Sequence, residues 1–239
     1  MPGAVPRDAA FFDDLYRTHA DPWGYRQAAE QSKYHLTLRA ARRWQPRPRR
    51  VLDVGCSLGY LTEMLADYAP RVSAFDISPT AIRMTQDRCA ARRTSTAFDI
   101  QLGDALAPAY PRGHFDVVFA GDVLLGAFDG AERAVRAVRA LLPLLSANGV
   151  LIATDFMNPT AQQSYVNLVE TAGGRIREAL YFNDRYWFRL KTALKSRRDS
   201  AWGQRLLCSP RVFQFLAHRA ARRGPAGSKH FGLVVQPVA

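Results

Sequence analysis

Residues 51–60 read V-L-D-V-G-C-S-L-G-Y. Val51, Leu52, Asp53 and Val54 form a short, mostly apolar run of the kind that makes a buried strand. Gly55-Cys56-Ser57-Leu58-Gly59 then turns the chain tightly. Leu61, Met64, Leu65 and Tyr68 follow at helical spacing, so a helix is expected from about Tyr60. Strand, glycine-rich turn and helix N-terminus together bring backbone close to a ligand, because Gly55 and Gly59 carry no Cβ to stand in its way. The spacing is G-x-S-x-G and departs from the G-x-G-x-x-G of dinucleotide sites. An acid, Asp53, also sits two residues before the first glycine. A carboxylate there repels a diphosphate and accepts bonds from a ligand that carries an ammonium group.

The same pattern repeats downstream. Val72-Ser73-Ala74-Phe75-Asp76 is a second apolar run closed by an acid, about 20 residues past the turn, where a carboxylate can bond a ribose diol. Ser78 and Pro79 supply an N-cap and a first helical residue for the next helix. A third run, 98–102, ends in Gly103-Asp104-Ala105, and a fourth, 115–120, ends in Gly121-Asp122. Further on, a helix is expected over 130–145 with Val135, Val138, Leu142 and Leu145 inward. Asn148-Gly149 is expected to turn into a strand over 150–156. Asn158-Pro159 then caps a helix to about Thr171, and strands follow at 176–182 and 231–238. Strands alternating with helices imply an α/β fold, a doubly wound parallel sheet.

These residues resemble the class I S-adenosylmethionine (AdoMet) methyltransferases, whose first motif is apolar-apolar-acid-apolar-G-x-G-x-G. Ser57 stands where the middle glycine would be. The resemblance implies AdoMet as cofactor and a seven-stranded, mostly parallel, Rossmann-like sheet whose last strand is antiparallel beside the fifth. It also implies a cofactor site formed by Asp53, Gly55, Cys56, Ser57, Gly59, Asp76, Ile77, Asp104, Ala105 and Ala120, with no metal. Asp76 would bond the ribose hydroxyls, Asp104 the adenine amino group, and Gly55 with its neighbours the methionine end. Cys56 reads as a small residue that fits the turn.

A second resemblance lies upstream. Phe11, Phe12, Leu15 and Tyr16 suggest a short helix, broken by Asp21-Pro22-Trp23-Gly24, and a second helix is expected over 28–44. Leu15-Tyr16, Asp21-Pro22-Trp23, Lys33-Tyr34 and Thr37-Leu38 resemble a signature of the nodulation-type methyltransferases, similar to chitooligosaccharide N-methyltransferases. In that subgroup the N-terminal segment covers the cofactor. Residues 1–10 are expected to be disordered. Asp122, just past the fourth strand, is the candidate catalytic base for removing a proton from an ammonium or hydroxyl acceptor. His19, His35 and His218 are alternatives. The subgroup has an E-V-L-Y-Y-L-like run at Asp122; here it reads D-V-L-L-G-A, without the aromatic pair that suits a saccharide or cationic acceptor.

Composition bounds the rest. The 239 residues, 48% hydrophobic and 23% charged, are those of an ordinary globular chain. No apolar run approaches the roughly 20 residues of a membrane span. The start M-P-G-A-V-P-R-D lacks an apolar signal core, and the three cysteines have no metal-ligand spacing. A cytoplasmic location is expected. We expect a cover segment at 1–48, an AdoMet-binding core at 49–174, and a C-terminal part of the same domain at 175–239.

Net charge is +12, and residues 175–229 alone hold 14 Lys and Arg against 3 acids. Much of that charge falls on two expected amphipathic helices, 185–198 and 210–223. A solvated face, a lid for an anionic acceptor and a patch for anionic membrane all fit; the aromatic platform wanted for nucleic acid is not evident. The expected function is methyl transfer from AdoMet to nitrogen or oxygen of a small-molecule or saccharide-type acceptor. The alternatives are an RNA-modifying methyltransferase and a non-catalytic AdoMet-binding protein. Oligomeric state is left open.

Overall fold

The computed structural model describes residues 8–124, 130–156, 161–197 and 200–238. Seven strands form one sheet: β1 (Val51–Val54), β2 (Arg71–Asp76), β3 (Ala97–Leu102), β4 (Phe115–Gly121), β5 (Leu145–Phe156), β6 (Gly174–Tyr181) and β7 (His230–Pro237). Their order is β3-β2-β1-β4-β5-β7-β6. The first five pair in parallel, and β7 runs antiparallel between β5 and β6. This is the seven-stranded, mostly parallel α/β sheet expected.

Central β1 is buried at all four positions, as a parallel strand covered on both faces must be. One face packs Phe115, Leu151 and Val118 against Val138 and Leu141 of α5 (Ala131–Leu141) and Tyr165 and Val169 of α6 (Ala161–Thr171). The other packs Val51, Phe119 and Ile152 against Tyr34, Leu38 and Ala41 of α2 (Ala28–Trp44) and Leu65 of α3 (Tyr60–Leu65). Leu65 and Leu141 are fully buried; truncating either to Ala would cost about 2–5 kcal/mol. α4 (Pro79–Ala90) starts as expected, with Ser78 Oγ accepting from Ala81 N at 3.1 Å and Pro79 at the first position.

Three boundaries in this part of the chain differ from the sequence reading. α1 (Ala9–Thr18) is capped by Asp8, whose Oδ1 accepts from Phe11 N at 2.9 Å. Residues 8–10 are therefore ordered into a helix, while 1–7 lie outside the described residues. α5 stops at Leu141, because Pro143 sits in a tight 3₁₀ turn over Leu142–Leu144. Its inward face is Ala134, Ala137, Val138 and Leu141; Val135 is only half-buried. Asn148-Gly149 is no turn between elements: β5 begins at Leu145 opposite Phe115, and the extra residues form a bulge. Gly149 is required there, since a Cβ would stand 2.8 Å from the Phe115 carbonyl. The Asn158-Pro159 cap lies outside the described residues.

Among its described residues the C-terminal insertion holds three α-helices where two were expected: α7 (Arg185–Ala193), α8 (Ala201–Leu207) and α9 (Pro210–Ala221). Ser200 and Ser209 cap α8 and α9. α8, at seven residues, is too short to declare itself by periodicity. Trp187, Leu207 and Phe213 pack with Ala28 and Ala29 of α2, which seats the insertion over the carboxyl ends of the strands. Among the described residues, no helix is long and apolar enough to cross a membrane.

Candidate active site at the carboxyl ends of the strands

A cavity of about 690 Å³ opens at the carboxyl ends of the sheet. Of the expected site residues, Asp53, Gly55, Cys56, Ser57, Asp76, Ile77, Asp104, Ala105 and Asp122 line it. Gly59 and Ala120 do not. Gly59 sits at φ +74° at the start of α3, where a Cβ would stand 2.9 Å from the Thr85 backbone, so its missing side chain serves the approach of α3 to α4. Ala120 is fully buried inside β4, paired with Val54 and Ala153. Its neighbour Gly121 faces the cavity instead.

The glycine-rich turn is held by its acids. Asp76 Oδ2 accepts from Ser57 N at 2.9 Å and Oδ1 from Ser78 N at 3.0 Å. One carboxylate thus fixes both the turn and the start of α4. Each oxygen keeps a second lone pair for a ligand hydroxyl. Burial raises the Asp76 carboxyl against the pull of those N–H groups. Ser57 adopts φ +51°, the left-handed region where a glycine would be relaxed. Asp53 Oδ2 accepts from Thr62 Oγ1 at 2.6 Å, and burial pushes its carboxyl up to about 7. Asp104 is exposed, with Oδ1 accepting from Leu106 N at 2.9 Å. Burial holds the Cys56 thiol well above its ordinary range, which keeps it protonated and inert.

The N-terminal helices form an aromatic cover. Tyr16, Trp23, Tyr25 and Tyr34 face the cavity, and Tyr25 donates its hydroxyl proton to Ser57 Oγ at 2.7 Å. Asp13 Oδ1, on α1, accepts from Ser78 Oγ and Thr80 N, both at 2.8 Å, tying the cover to α4. On the opposite wall Phe156 and Phe188 meet edge to face, centroids 4.8 Å apart. Aromatic surface absent from the sequence after Asp122 is therefore supplied by other elements.

Asp122 sits at φ +56° just past β4, with 35% of its side chain exposed. It is ion-paired with Lys33 of α2, whose Nζ also lies 2.6 Å from Glu30 Oε2. His230, the first residue of β7, places Nε2 3.7 Å from Asp122 Oδ1, 3.8 Å from Glu30 Oε1 and 3.5 Å from Lys33 Nζ. Behind it, His230 Nδ1 lies 2.6 Å from Asp184 Oδ2. Burial works against charge on Asp122, but Lys33 and His230 outweigh it and hold its carboxyl below the ordinary value. Burial also opposes the charged form of His230, with Lys33; Asp122, Asp184 and Glu30 outweigh both and raise it above 6.5. Glu30, Asp122 and His230 turn donor atoms to one point, as a metal site would. The Lys33 ammonium stands among those donors, so the cation they serve is the protein's own.

Sequence reasoning named His19, His35 and His218, and none of them lines the cavity. His19 and His35 are exposed. His230 was missed, although the expected antiparallel last strand carries the signal: such a strand enters the sheet where the parallel ones end. Of Arg185, Arg189, Lys191 and Lys195 on the expected basic helix 185–198, Lys191 lines the cavity, while the other three do not.

Residues 51–149 match the methyltransferase domain family. Nodulation protein S of Bradyrhizobium diazoefficiens is 32% identical over 135 residues, 55% of this chain and 61% of that protein. The chain thus spans about three-fifths of that relative's length. Among solved structures, the N-methyltransferase NodS from Bradyrhizobium japonicum WM9 in complex with S-adenosyl-L-homocysteine superposes with a TM-score of 0.60 at 20% identity, over 71% of this chain and 89% of that one. The cyclase SpnF superposes with a TM-score of 0.63 at 19% identity, over 88% and 84%. At these identities the likeness is one of fold, and a cyclase among the neighbours means that the fold does not fix the reaction. The domain match over residues 51–149, joined to acids at successive strand ends, makes this chain similar to the AdoMet-dependent methyltransferases, nodulation-type members among them.

Proposed function

We propose that the chain transfers a methyl group from AdoMet to a nitrogen or oxygen of a small-molecule or saccharide-type acceptor. The observation that carries this reading is the order of the groups along one cavity. Read across the sheet, Asp104 follows β3, Asp76 closes β2, Asp53 lies in β1 and Gly55 follows it, Asp122 follows β4, Phe156 ends β5 and His230 starts β7. Neighbouring strands stand about 4.8 Å apart, so β3 to β4 is a span of roughly 14 Å. That length suits a nucleoside joined to an amino acid. It leaves the end beyond β4, with its proton-handling cluster, for the acceptor.

The residues present fit AdoMet. Asp104 would take the adenine amino group and Asp76 the ribose hydroxyls through its remaining lone pairs. Ile77 and Ala105 flank the base, and the turn at Gly55 receives the methionine end, near Asp53. When bound, AdoMet supplies a methyl group on a sulfonium centre. The protein's part is geometry and dryness: Tyr16, Tyr25 and Tyr34 exclude water from above. Asp122, half-open to the cavity, orients the acceptor's X–H group. The Phe156–Phe188 pair offers a face to a sugar ring or a cationic group.

The finer features of the acceptor rest on less. Lys191, with Nζ 5.2 Å from the Trp187 ring centroid, is a cavity-lining cation that favours an anionic group on the acceptor. An RNA acceptor gains no support from the other α7 cations, which do not line the cavity. The test is incubation with methyl-labelled AdoMet and fractionated small-molecule extract, alongside calorimetric titration with AdoMet. Label appearing in one fraction supports the reading. Tight AdoMet binding without transfer to any fraction favours the non-catalytic alternative.

A further inference from the structure

We propose that His230, oriented by Asp184, is the terminal proton acceptor of the reaction, drawing the acceptor's proton through Asp122. This rests on the methyltransferase reading above.

Asp184 is buried and accepts from Lys229 N at 2.6 Å and from His230 N at 3.2 Å. An ionised carboxylate only accepts hydrogen bonds. The 2.6 Å contact therefore makes Nδ1 of His230 a donor. In the neutral ring Nε2 is then the accepting nitrogen, and it faces Asp122 with Lys33 Nζ 3.5 Å away. Asp122 Oδ1 is buried without a hydrogen-bond partner, 3.7 Å from that nitrogen. The Asp122 side chain, 35% exposed and lining the cavity, thus turns its buried, unpartnered oxygen toward the imidazole, and a carboxylate so placed can pass a proton along.

Asp122 is poorly suited to keep that proton. The Lys33 ammonium beside it stabilises the carboxylate and holds its pKa down. His230 is surrounded by groups that favour its cation: Asp184 behind, Glu30 and Asp122 in front. Lys33 opposes them, and Lys229 is the neighbouring residue in the chain. Asp155 and Lys191 also line the cavity. In the step proposed, the acceptor's X–H bond breaks and its electron pair stays on the acceptor atom, which becomes the nucleophile. The proton goes to the Asp122 carboxylate and on to His230 Nε2, and the imidazolium later returns it to solvent.

Nitrogen-15 NMR of the histidine rings across pH, with kcat–pH profiles, tests this in the intact chain. The proposal expects His230 to carry its neutral-form proton on Nδ1, and kcat to rise with pH along its titration. Asp184→Asn should move both midpoints down together. His230→Gln should lower kcat by about 10²–10⁴-fold, abolish the rising limb, and leave AdoMet affinity within about twofold. Should His230→Gln fail to fold, Asp184→Asn still decides through the paired midpoints. A neutral His230 protonated on Nε2 would overturn the proposal without any assay. So would an Asp184→Asn protein whose His230 midpoint moves while the kcat limb stays. A wild-type protein that never transfers methyl would instead overturn the function reading, and the proposal with it.

Discussion

Tyr25 donates a hydrogen bond to Ser57 Oγ at 2.7 Å, joining the N-terminal cover to the glycine-rich turn 32 residues later in the chain. Because this bond spans the cofactor's end of the cavity, cover and turn should respond to AdoMet as one unit. AdoMet should slow backbone hydrogen exchange in residues 19–34, and Tyr25→Phe should reduce that protection and weaken AdoMet binding by about 0.5–1.5 kcal/mol. Exchange that is equal with and without cofactor would reduce the cover to a packing element.

Asp76 and Asp104 should separate in a way their sequence contexts do not suggest. Asp76 fixes two backbone N–H groups as well as facing the cavity. Asp76→Ala should therefore lower thermal stability and also AdoMet affinity, each by about 1–3 kcal/mol. Asp104 is exposed, so Asp104→Ala should weaken AdoMet binding with little change in Tm. Calorimetric titration and thermal melts of both proteins check this; unchanged affinity in both would remove the adenosine end from β2 and β3.

Asp53 gives a pH signature. Burial raises its folded-state pKa from 3.8 to about 7. A raised carboxyl contributes stability that is present below its unfolded pKa and lost as pH rises through the folded one. Between about pH 4 and 7 it should therefore cost the fold on the order of 2–4 kcal/mol. Asp53→Asn, whose amide oxygen still accepts from Thr62, should flatten that slope and unfold at higher denaturant at pH 8 than wild type. Parallel slopes for the two proteins in urea titrations from pH 4.5 to 8 would argue against it.

The cation on α7 that matters should be Lys191. If the acceptor is anionic, its KM rises with ionic strength as screening shortens from about 10 Å at 0.1 M to about 3 Å at 1 M. Lys191→Gln should flatten that dependence, while Arg185→Gln, Arg189→Gln and Lys195→Gln leave it largely intact. A triple variant that flattens it as strongly as Lys191→Gln would return the effect to the helices' general field. Flotation with anionic and neutral vesicles separates a membrane patch from both.

Much of the scaffold was legible because periodicity and caps carry it. β1, the Ser78-Pro79 start of α4, the span of α2 and the antiparallel last strand all follow from local patterns and the family's motif. Asp53, Asp76, Asp104 and Asp122 could be placed because strand ends in a parallel sheet share one edge. What stayed hidden depends on contacts between distant segments. Lys33 read as part of a signature, yet it is the ammonium that balances Asp122 and Glu30. Gly59 read as a ligand contact, yet Thr85 of α4 occupies its space. His230 carries no local motif; its importance comes from where β7 enters the sheet. Asp184 likewise acts on a residue 46 positions away.

If the cavity holds AdoMet from β3 to β4 and presents an acceptor at Asp122, methyl transfer must depend on that carboxylate while cofactor binding does not. Label transfer from methyl-labelled AdoMet, measured side by side for wild type and Asp122→Asn with AdoMet affinity taken on the same samples, decides this. We expect transfer by wild type, a loss of about 10²–10⁴-fold in the variant, and AdoMet affinity nearly unchanged. Wild-type turnover in Asp122→Asn, or NADH binding wild type as strongly as AdoMet does, would contradict it.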